Sequence, residues 1–397
     1  MERDRNFLEH LLSLALRSPH AADFGRREFL RATGQLGLSA VALAELGKLL
    51  GPALALAADA GHLPEITRVP DRLKGKGEVR VCSWGGALQE AQRKAYFQPF
   101  EQSTGIKVIE AEGPDSAKIK AMVDTNNIEW DVAELNRDTV MNLVKKGDYF
   151  EKIDYGLCDS ANIDAAFRYE YALDMLPYAT IYAYRTDAFK GAEPEGWADF
   201  WDVARFPGPR TMPGGAGGIL PILEGAMIAA GTPMDKVYPI DIDKAYASLA
   251  KIKPSVVKWW DAGAIPAQLL NDKEVNMGVA WNGRIAAIQA KGAPVKISWR
   301  GGTINSDCWA IPKGAPNREN AQKFTAFTTL AEPQARLSIL IPYGFVNNAA
   351  AELIPPERLK TLPTSPEIKK NLIIYNYEWW AANLDKVVDR WASFVLQ

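Results

Sequence analysis

Histidine is nearly missing from this sequence: three stand in 397 residues, His10, His20 and His62, all in or beside the N-terminal segment. The body of the chain therefore has almost no imidazole for general-base, triad or metal-ligand work, which weighs against hydrolase and metalloenzyme chemistry. Cysteine is as scarce. Cys82, Cys158 and Cys308 are odd in number, widely spaced and free of any CxxC pair, so neither a zinc site nor a disulfide framework is indicated. Cys82 and Cys308 sit in strand-like runs, where buried and inert thiols are expected. Excess charge of either sign is absent too. With 46 Lys and Arg against 48 Asp and Glu, and a pI near 6.1, nothing points to a nucleic-acid or polyanion partner. Walker and dinucleotide motifs, internal repeats and low-complexity tracts are also lacking.

What remains is an ordinary globular composition, 47% hydrophobic and 24% charged, long enough for two or three domains. Residues 1–57 read as an export signal. Gly25-Arg26-Arg27-Glu28-Phe29-Leu30-Arg31 matches the twin-arginine pattern, a modestly apolar stretch follows, and Ala53 to Ala58 offers small-x-small cleavage sites. Glu45 and Lys48 interrupt the apolar stretch and make it a poor membrane span. Residues 58–77, with Pro64, Pro70, Gly75 and Gly77, look like a linker.

From Glu78 the pattern is repeated β-α-β. Strands are expected at 79–84, 106–111 and 130–135, with helices at 88–104, 116–124 and from Asn136 or Asp138 to Lys146. Such alternation predicts mostly parallel, doubly wound sheets. An apolar and aromatic run at 176–184 carries the chain toward a second unit, and a second run at 306–312 returns it; a further strand is expected at 294–299. Helices are expected at 219–230, 246–260, 321–330 and 333–340, and the last 50 residues, rich in Trp and Tyr, read as packing helices.

Two stretches stand out chemically. Asn276-Met277-Gly278-Val279-Ala280-Trp281-Asn282-Gly283-Arg284 is a short buried-strand run ending in a turn, with Trp281 left at the carboxyl edge and a helix behind it. Ligands in open α/β sheets bind at such edges, so Trp281 is either a pocket wall or a core residue capping the sheet. Pro213-Gly214-Gly215-Ala216-Gly217-Gly218 precedes a helix, and its backbone N–H groups, at Gly215 and Gly217 above all, either hold an anion or form a flexible connector.

Ser103-Thr104-Gly105-Ile106-Lys107-Val108, Trp130-Asp131-Val132, Ala198-Asp199-Phe200-Trp201, Trp281-Asn282-Gly283 with the run before it, and Asp307-Cys308-Trp309-Ala310-Ile311-Pro312 fall in the order and spacing of a known family. Over about residues 78–350 the chain resembles the spermidine/putrescine-type periplasmic binding proteins of ABC importers. The resemblance implies an α/β, two-lobed, type II periplasmic-binding-protein fold, each lobe a mostly parallel sheet flanked by helices with a hinge between them. Lobe 1 would comprise 78–176 plus 308–345, lobe 2 would comprise 177–307, and 346–397 would be C-terminal packing helices. It implies ligand-binding roles for Trp84, Asn136, Asp138, Trp281, Asp307 and Tyr343, with Trp281 stacking on the solute and Asp307 holding an ammonium. An ammonium desolvated between aromatic faces gains cation–π attraction and needs a carboxylate partner. Each residue has a plainer role open to it: Asp138 as a helix cap, Asp307 as a hinge-pairing residue, Tyr343 as core.

Two departures from that family bear on the solute. Where polyamine binders place an acidic pair ahead of the second-lobe helix this chain has Gly214 to Gly218, and where they place a Trp two residues before the key Asp it has Asn305. The loop suits an anionic group, so the expected solute is a zwitterion such as an ω-amino acid rather than a diamine. Arg137 or Arg210 either adds to that anion site or is a solvated or lobe-bridging arginine. The expected partners are a small amine or zwitterion, the membrane subunits of an ABC permease and the twin-arginine translocase, with no nucleic acid, cofactor or metal, and the protein is expected to be monomeric and periplasmic. The alternatives are an enzyme on the same fold, a lyase or transferase; a ferric-ion or other metal receptor; or a true putrescine or spermidine receptor whose site is completed by other acids such as Glu134 or Glu224.

Overall fold

A computed structural model describes residues 63–214 and 221–396; the Arg26-Arg27 segment and Gly215 and Gly217 lie outside them. Pro64 onward forms one unit. Its strands are β1 (Glu78–Ser83), β2 (Lys107–Glu112), β3 (Val132–Asn136), β4 (Arg168–Tyr169), β5 (Ala172–Arg185), β6 (Arg210–Pro213), β7 (Val256–Trp260), β8 (Met277–Trp281), β9 (Val295–Ala310) and β10 (Ile373–Ile374). They join in one mixed sheet of order β2-β1-β3-β9-β5-β8-β6-β7, with β4 on β5 and β10 on β9.

The ends of this sheet differ from its middle. β2, β1 and β3 pair in parallel, as do β8, β6 and β7, which is what the β-α-β alternation predicts. Between them run β5 and β9, 14 and 16 residues long, antiparallel to each other and to the inner strand on either side. β5 is buried at every position but the last, and such a continuous apolar strand is stable only with both faces covered. The expected strands at 294–299 and 306–312 are one strand here. Gly301 and Gly302, a natural place for a break, instead carry the chain through a bulge. Gly301 has φ +78°, and a Cβ there would stand 2.8 Å from Ile228 Cδ1 and 2.9 Å from Trp197 Cδ1. Trp197 Nε1 donates to the Gly301 carbonyl at 2.8 Å and fixes the bend.

Two aromatic cores flank the sheet. One gathers Phe97, Phe100, Phe324, Phe327 and Trp309, with Phe324 edge-on to Phe100 and to Trp309 at 5.4 and 5.5 Å. The other gathers Tyr182, Trp197, Phe200, Tyr246 and Trp260. The long helix Tyr377–Leu396 completes it with Trp380 and Trp391, and Tyr246 donates to the Val387 carbonyl at 2.9 Å. Among the described residues no helix is long and apolar enough to cross a membrane.

Arg137 and Arg210, the two arginines considered for an anion site, are both buried. Arg210 donates to the carbonyls of Phe200, Phe206 and Gly208, and so ties down the loop before β6. Arg137 grips both carboxyl oxygens of Asp174 on β5, donates to Ala166 O at 2.8 Å and lies 4.2 Å from the Tyr377 ring centroid. Removing one partner of such a buried pair leaves an uncompensated charge, at a cost of roughly 3–5 kcal/mol. Asp174→Ala should therefore lower unfolding free energy by about that amount in urea titrations. A loss under about 1 kcal/mol would show that Arg137 is not held by this pair.

Candidate functional site

The best-placed candidate site lies where β3, β9 and β5 meet. Asn136 is paired with Asp307 in the β3–β9 register, and Tyr178 with Asn305 in the β5–β9 register. Side chains alternate along a strand, so Thr303, Asn305 and Asp307 share one face of β9, as Tyr178 and Thr180 share one face of β5. Contacts confirm that these faces coincide. Asn136 Nδ2 donates to Asp307 Oδ1 at 2.7 Å and to the Tyr178 hydroxyl at 3.0 Å, and Asn305 Nδ2 donates to the same hydroxyl at 2.9 Å.

Aromatic rings close over this polar row. Trp281, half-buried at the end of β8, stands edge-on to Tyr178 at 6.3 Å and to Trp260 at 5.8 Å, and Tyr343 stands edge-on to Tyr178 at 6.3 Å. The residues after Trp281 explain why this motif is built as it is. Asn282 is fully buried; its Oδ1 accepts the Ala179 N–H on β5 at 2.9 Å and its Nδ2 donates to the Pro342 carbonyl at 2.8 Å. It thereby clamps the 341–344 turn to β5. Gly283 leaves room for the Tyr343 ring, since a Cβ there would come within 2.5 Å of Tyr343 Cε1.

Trp84, Asn136, Trp281, Asp307 and Tyr343 are thus gathered together. Trp84 is 44% exposed, and its indole is near enough to Asp307 to moderate that carboxyl's pKa. Asp138 lies beside them with both oxygens engaged, Oδ1 by the Thr139 N–H at 2.9 Å and Oδ2 by the Tyr375 hydroxyl at 3.0 Å. Asn136, not Asp138, occupies the N-cap of helix Arg137–Lys146. Tyr178 and Arg284 were missed by the assignment of site residues, and Glu134 was named only as an acid of the alternative polyamine receptor. Tyr178 is the hub of the network. Glu134, two residues before Asn136 on β3, is fully buried and accepts from Ser83 Oγ at 2.6 Å and Gln92 Nε2 at 3.0 Å. Arg284, in the first turn of helix Asn282–Gln289, is exposed, forms no ion pair among the described residues, and acts with Asp307 on the Tyr343 hydroxyl from opposite signs.

The electrostatics mark this place as unfinished. Burial raises Asp307 well above the usual carboxylate range, and the Glu134 charge raises it further. Burial likewise pushes Glu134 up to about 7, against hydrogen bonds from Ser83, Gln92 and the Trp84 backbone. Several buried polar atoms here have no partner: Glu134 Oε1, Asn305 Oδ1, Trp281 Nε1, Thr180 Oγ1 and Thr303 Oγ1. Unpaired polar groups are rare in folded interiors and costly, so a cluster of them calls for a polar ligand. A surface hollow lies around Asp148, Glu151, Lys313 and Arg318, where these four charges pair with one another. Among the described residues no cluster of His, Cys, Asp and Glu could hold a metal.

The sequence model described as bacterial extracellular solute-binding protein matches residues 95–371. A gamma-aminobutyric acid-binding protein of Pseudomonas aeruginosa is 35% identical over 327 residues, covering 79% of this chain and 91% of that protein. The spermidine/putrescine-binding periplasmic protein of Escherichia coli is 28% identical over 291 residues, 69% of this chain and 81% of that one. Among solved structures, an ABC transporter substrate-binding protein from Bradyrhizobium japonicum aligns with TM-score 0.76 at 36% identity over 80% of this chain and 99% of that one. A GABA receptor aligns with TM-score 0.74 at 33% identity over 80% and 97%.

Glu134 gives a direct check on the site's electrostatics. Its folded-state value lies above that of the unfolded chain, so the native protein binds more protons. The stability from this group is complete below about pH 4.5 and is lost as pH rises through about 7, up to about 3 kcal/mol in all. Thermal unfolding across that window should show stability falling with pH in the wild type and a flatter profile in Glu134→Gln. Identical profiles would place the Glu134 carboxyl outside this environment.

Proposed function

Since the chain belongs to the bacterial extracellular solute-binding protein family and is the substrate-binding component of an ABC importer, we propose that its solute is a small ω-amino acid, held between Asp307 and Arg284. The observation that carries this reading is that Tyr343 lies within reach of both a buried carboxyl, Asp307, and a guanidinium, Arg284, that forms no ion pair among the described residues. A zwitterion a few carbons long presents complementary charges to that pair. Its ammonium would sit against Asp307 beneath Trp84, Trp281 and Tyr178, where aromatic faces favour a cation, and its carboxylate would meet Arg284, whose planar fork suits carboxylates. The loop from Gly214 to Gly218 is a second source of donors for the anionic end, of which Gly215 and Gly217 would contribute backbone N–H groups. The gamma-aminobutyric acid specificity named for two similar proteins agrees with this choice, and the polyamine specificity named for others marks the competing one.

The lobes would be 78–176 plus 308–345 and 177–307, turning about β5 and β9. Residues from both sides of that pair, Trp84 and Asn136 from one and Trp281 and Arg284 from the other, would then close on the solute, and the closed form would dock on the permease. The protein is proposed to act in the periplasm as a monomer that releases its solute chemically unchanged. Its precursor would cross the membrane through the twin-arginine route. Arg26→Lys combined with Arg27→Lys should leave the precursor in the cytoplasm, and normal delivery of that variant would contradict the route.

Calorimetry tests the solute. 4-Aminobutyrate should bind more tightly than putrescine or spermidine, because a diamine would leave its second cation facing Arg284. Asp307→Asn should weaken it by two orders of magnitude or more, and Arg284→Gln should remove the preference for the zwitterion. Putrescine or spermidine binding more tightly than every ω-amino acid tried would establish a polyamine receptor instead.

A further inference from the structure

Two acids stand close together in this site, and no cation is among the groups that perturb either of them. Glu134 and Asp307 occupy adjacent strands, β3 and β9, two register positions apart: Glu134 faces Trp309 and Asn136 faces Asp307. Glu134 Oε2 is held by Ser83 and Gln92, whereas Oε1 is sealed from water and makes no hydrogen bond of ordinary length, the Trp84 backbone N–H being the one neutral group that also acts on this carboxyl. Asp307 has only the neutral donors Asn136 and Trp84. The groups around the pair are Cys82 and Ser83 on β1, Tyr96 from the preceding helical turn, Asp138 and Asp174 beyond Asp307, and Tyr178 and Tyr343 above it. Lys118 and Glu112 act on Cys82, Arg137 is paired with Asp174 and acts on Cys308, and Arg284 acts on Tyr343, but none of the four is among the groups that perturb the two acids. Two carboxylates so placed cannot both ionise without a counter-charge, and they titrate as a unit.

We propose that Glu134 is the second acid of the amine subsite, sharing one proton with Asp307 while the site is empty and giving it up when a solute ammonium arrives. The proton leaves to solvent as the ammonium N–H groups take over the carboxyl oxygens. Positive charge at the pair is thus conserved across binding, and the unpartnered Oε1 gains its donor. The Asn305 Oδ1 acceptor, also buried and unpartnered, gives the ammonium a further lone pair on the same face. The inference rests on reading the site as an amine receptor, though not on the solute being a zwitterion.

The test is calorimetry of the full protein with 4-aminobutyrate and with putrescine, in buffers of different ionisation enthalpy. Near pH 6, binding should release close to one proton, with release fading above about pH 8. Affinity should rise about tenfold per pH unit below the pair's titration point. In Glu134→Gln, which keeps the side-chain shape, the release should fall and its titration point should shift down, since burial alone still acts on Asp307, and affinity above about pH 8 should drop with the loss of the second carboxylate. Infrared spectroscopy reads the same event without a variant: a carboxylic-acid band present in the empty protein near pH 6 should disappear on adding solute. Release with putrescine but no binding of 4-aminobutyrate would sustain the shared proton and overturn the ω-amino acid reading. Binding without proton release, a carboxylic-acid band that survives in the liganded protein, equal release from Glu134→Gln, or no binding of either amine would each overturn the proposal.

Discussion

The arrangement depends on a carboxyl buried where the chain passes between the two parallel ends of its sheet. Asp307 is 8% exposed, and its hydrogen-bond donors are neutral. Desolvation without a counter-charge is unfavourable by several kcal/mol, and folding alone does not offset it at this position. The Asn136, Tyr178 and Asn305 network holds the carboxyl in one geometry without neutralising it. In the proposed site a cationic solute would supply what the protein withholds, and the cost of burying Asp307 would become affinity for an amine.

Other structural acids show the contrast. Asp174 lies only a short way along the neighbouring strand and is also fully buried, yet it has Arg137 across both oxygens, a further guanidinium contact to Ala166 and the Tyr377 ring above. That acid is complete. Asp138 is satisfied by a hydroxyl and a backbone N–H. Glu134 and Asp307 adjoin one another without an opposing charge, whereas Glu224, also buried with an unpartnered oxygen, stands apart from them beside Tyr238 and Trp380.

Much of this was legible in the sequence because its signals are local. Trp281 at a strand edge before Asn-Gly was singled out as a pocket wall or a cap of the sheet, and it stands beside Tyr178 and Trp260. The Asn282 clamp and the bare Gly283 beneath Tyr343 give a physical reason for that spacing. The β-α-β rhythm gave the parallel ends of the sheet. Less legible were features that arise from register. Glu134 sits between Ala133 and Leu135 in an apolar strand, and only the pairing of β3 with β9 shows that its charge adjoins Asp307. A charged residue inside such a run is itself the signal that could have found it. The alternation Thr303, Asn305, Asp307 was hidden because Gly301-Gly302 split β9 into two apparent strands. Arg137 looked free for an anion because its partner, Asp174, is 37 residues away. Arg284 lay within the most distinctive stretch, yet nothing local distinguished it from a solvated helix residue.

In the proposed complex, Asp307 with Glu134 would recognise the amine end of one solute and Arg284 its carboxylate end. A crystal structure of the protein with 4-aminobutyrate tests this most directly. The ammonium nitrogen should lie within hydrogen-bonding distance of Asp307 and of Glu134 Oε1, beneath Trp281, with the carboxylate on the Arg284 guanidinium. The reverse orientation, or a solute bound away from the meeting point of β3, β9 and β5, would contradict it.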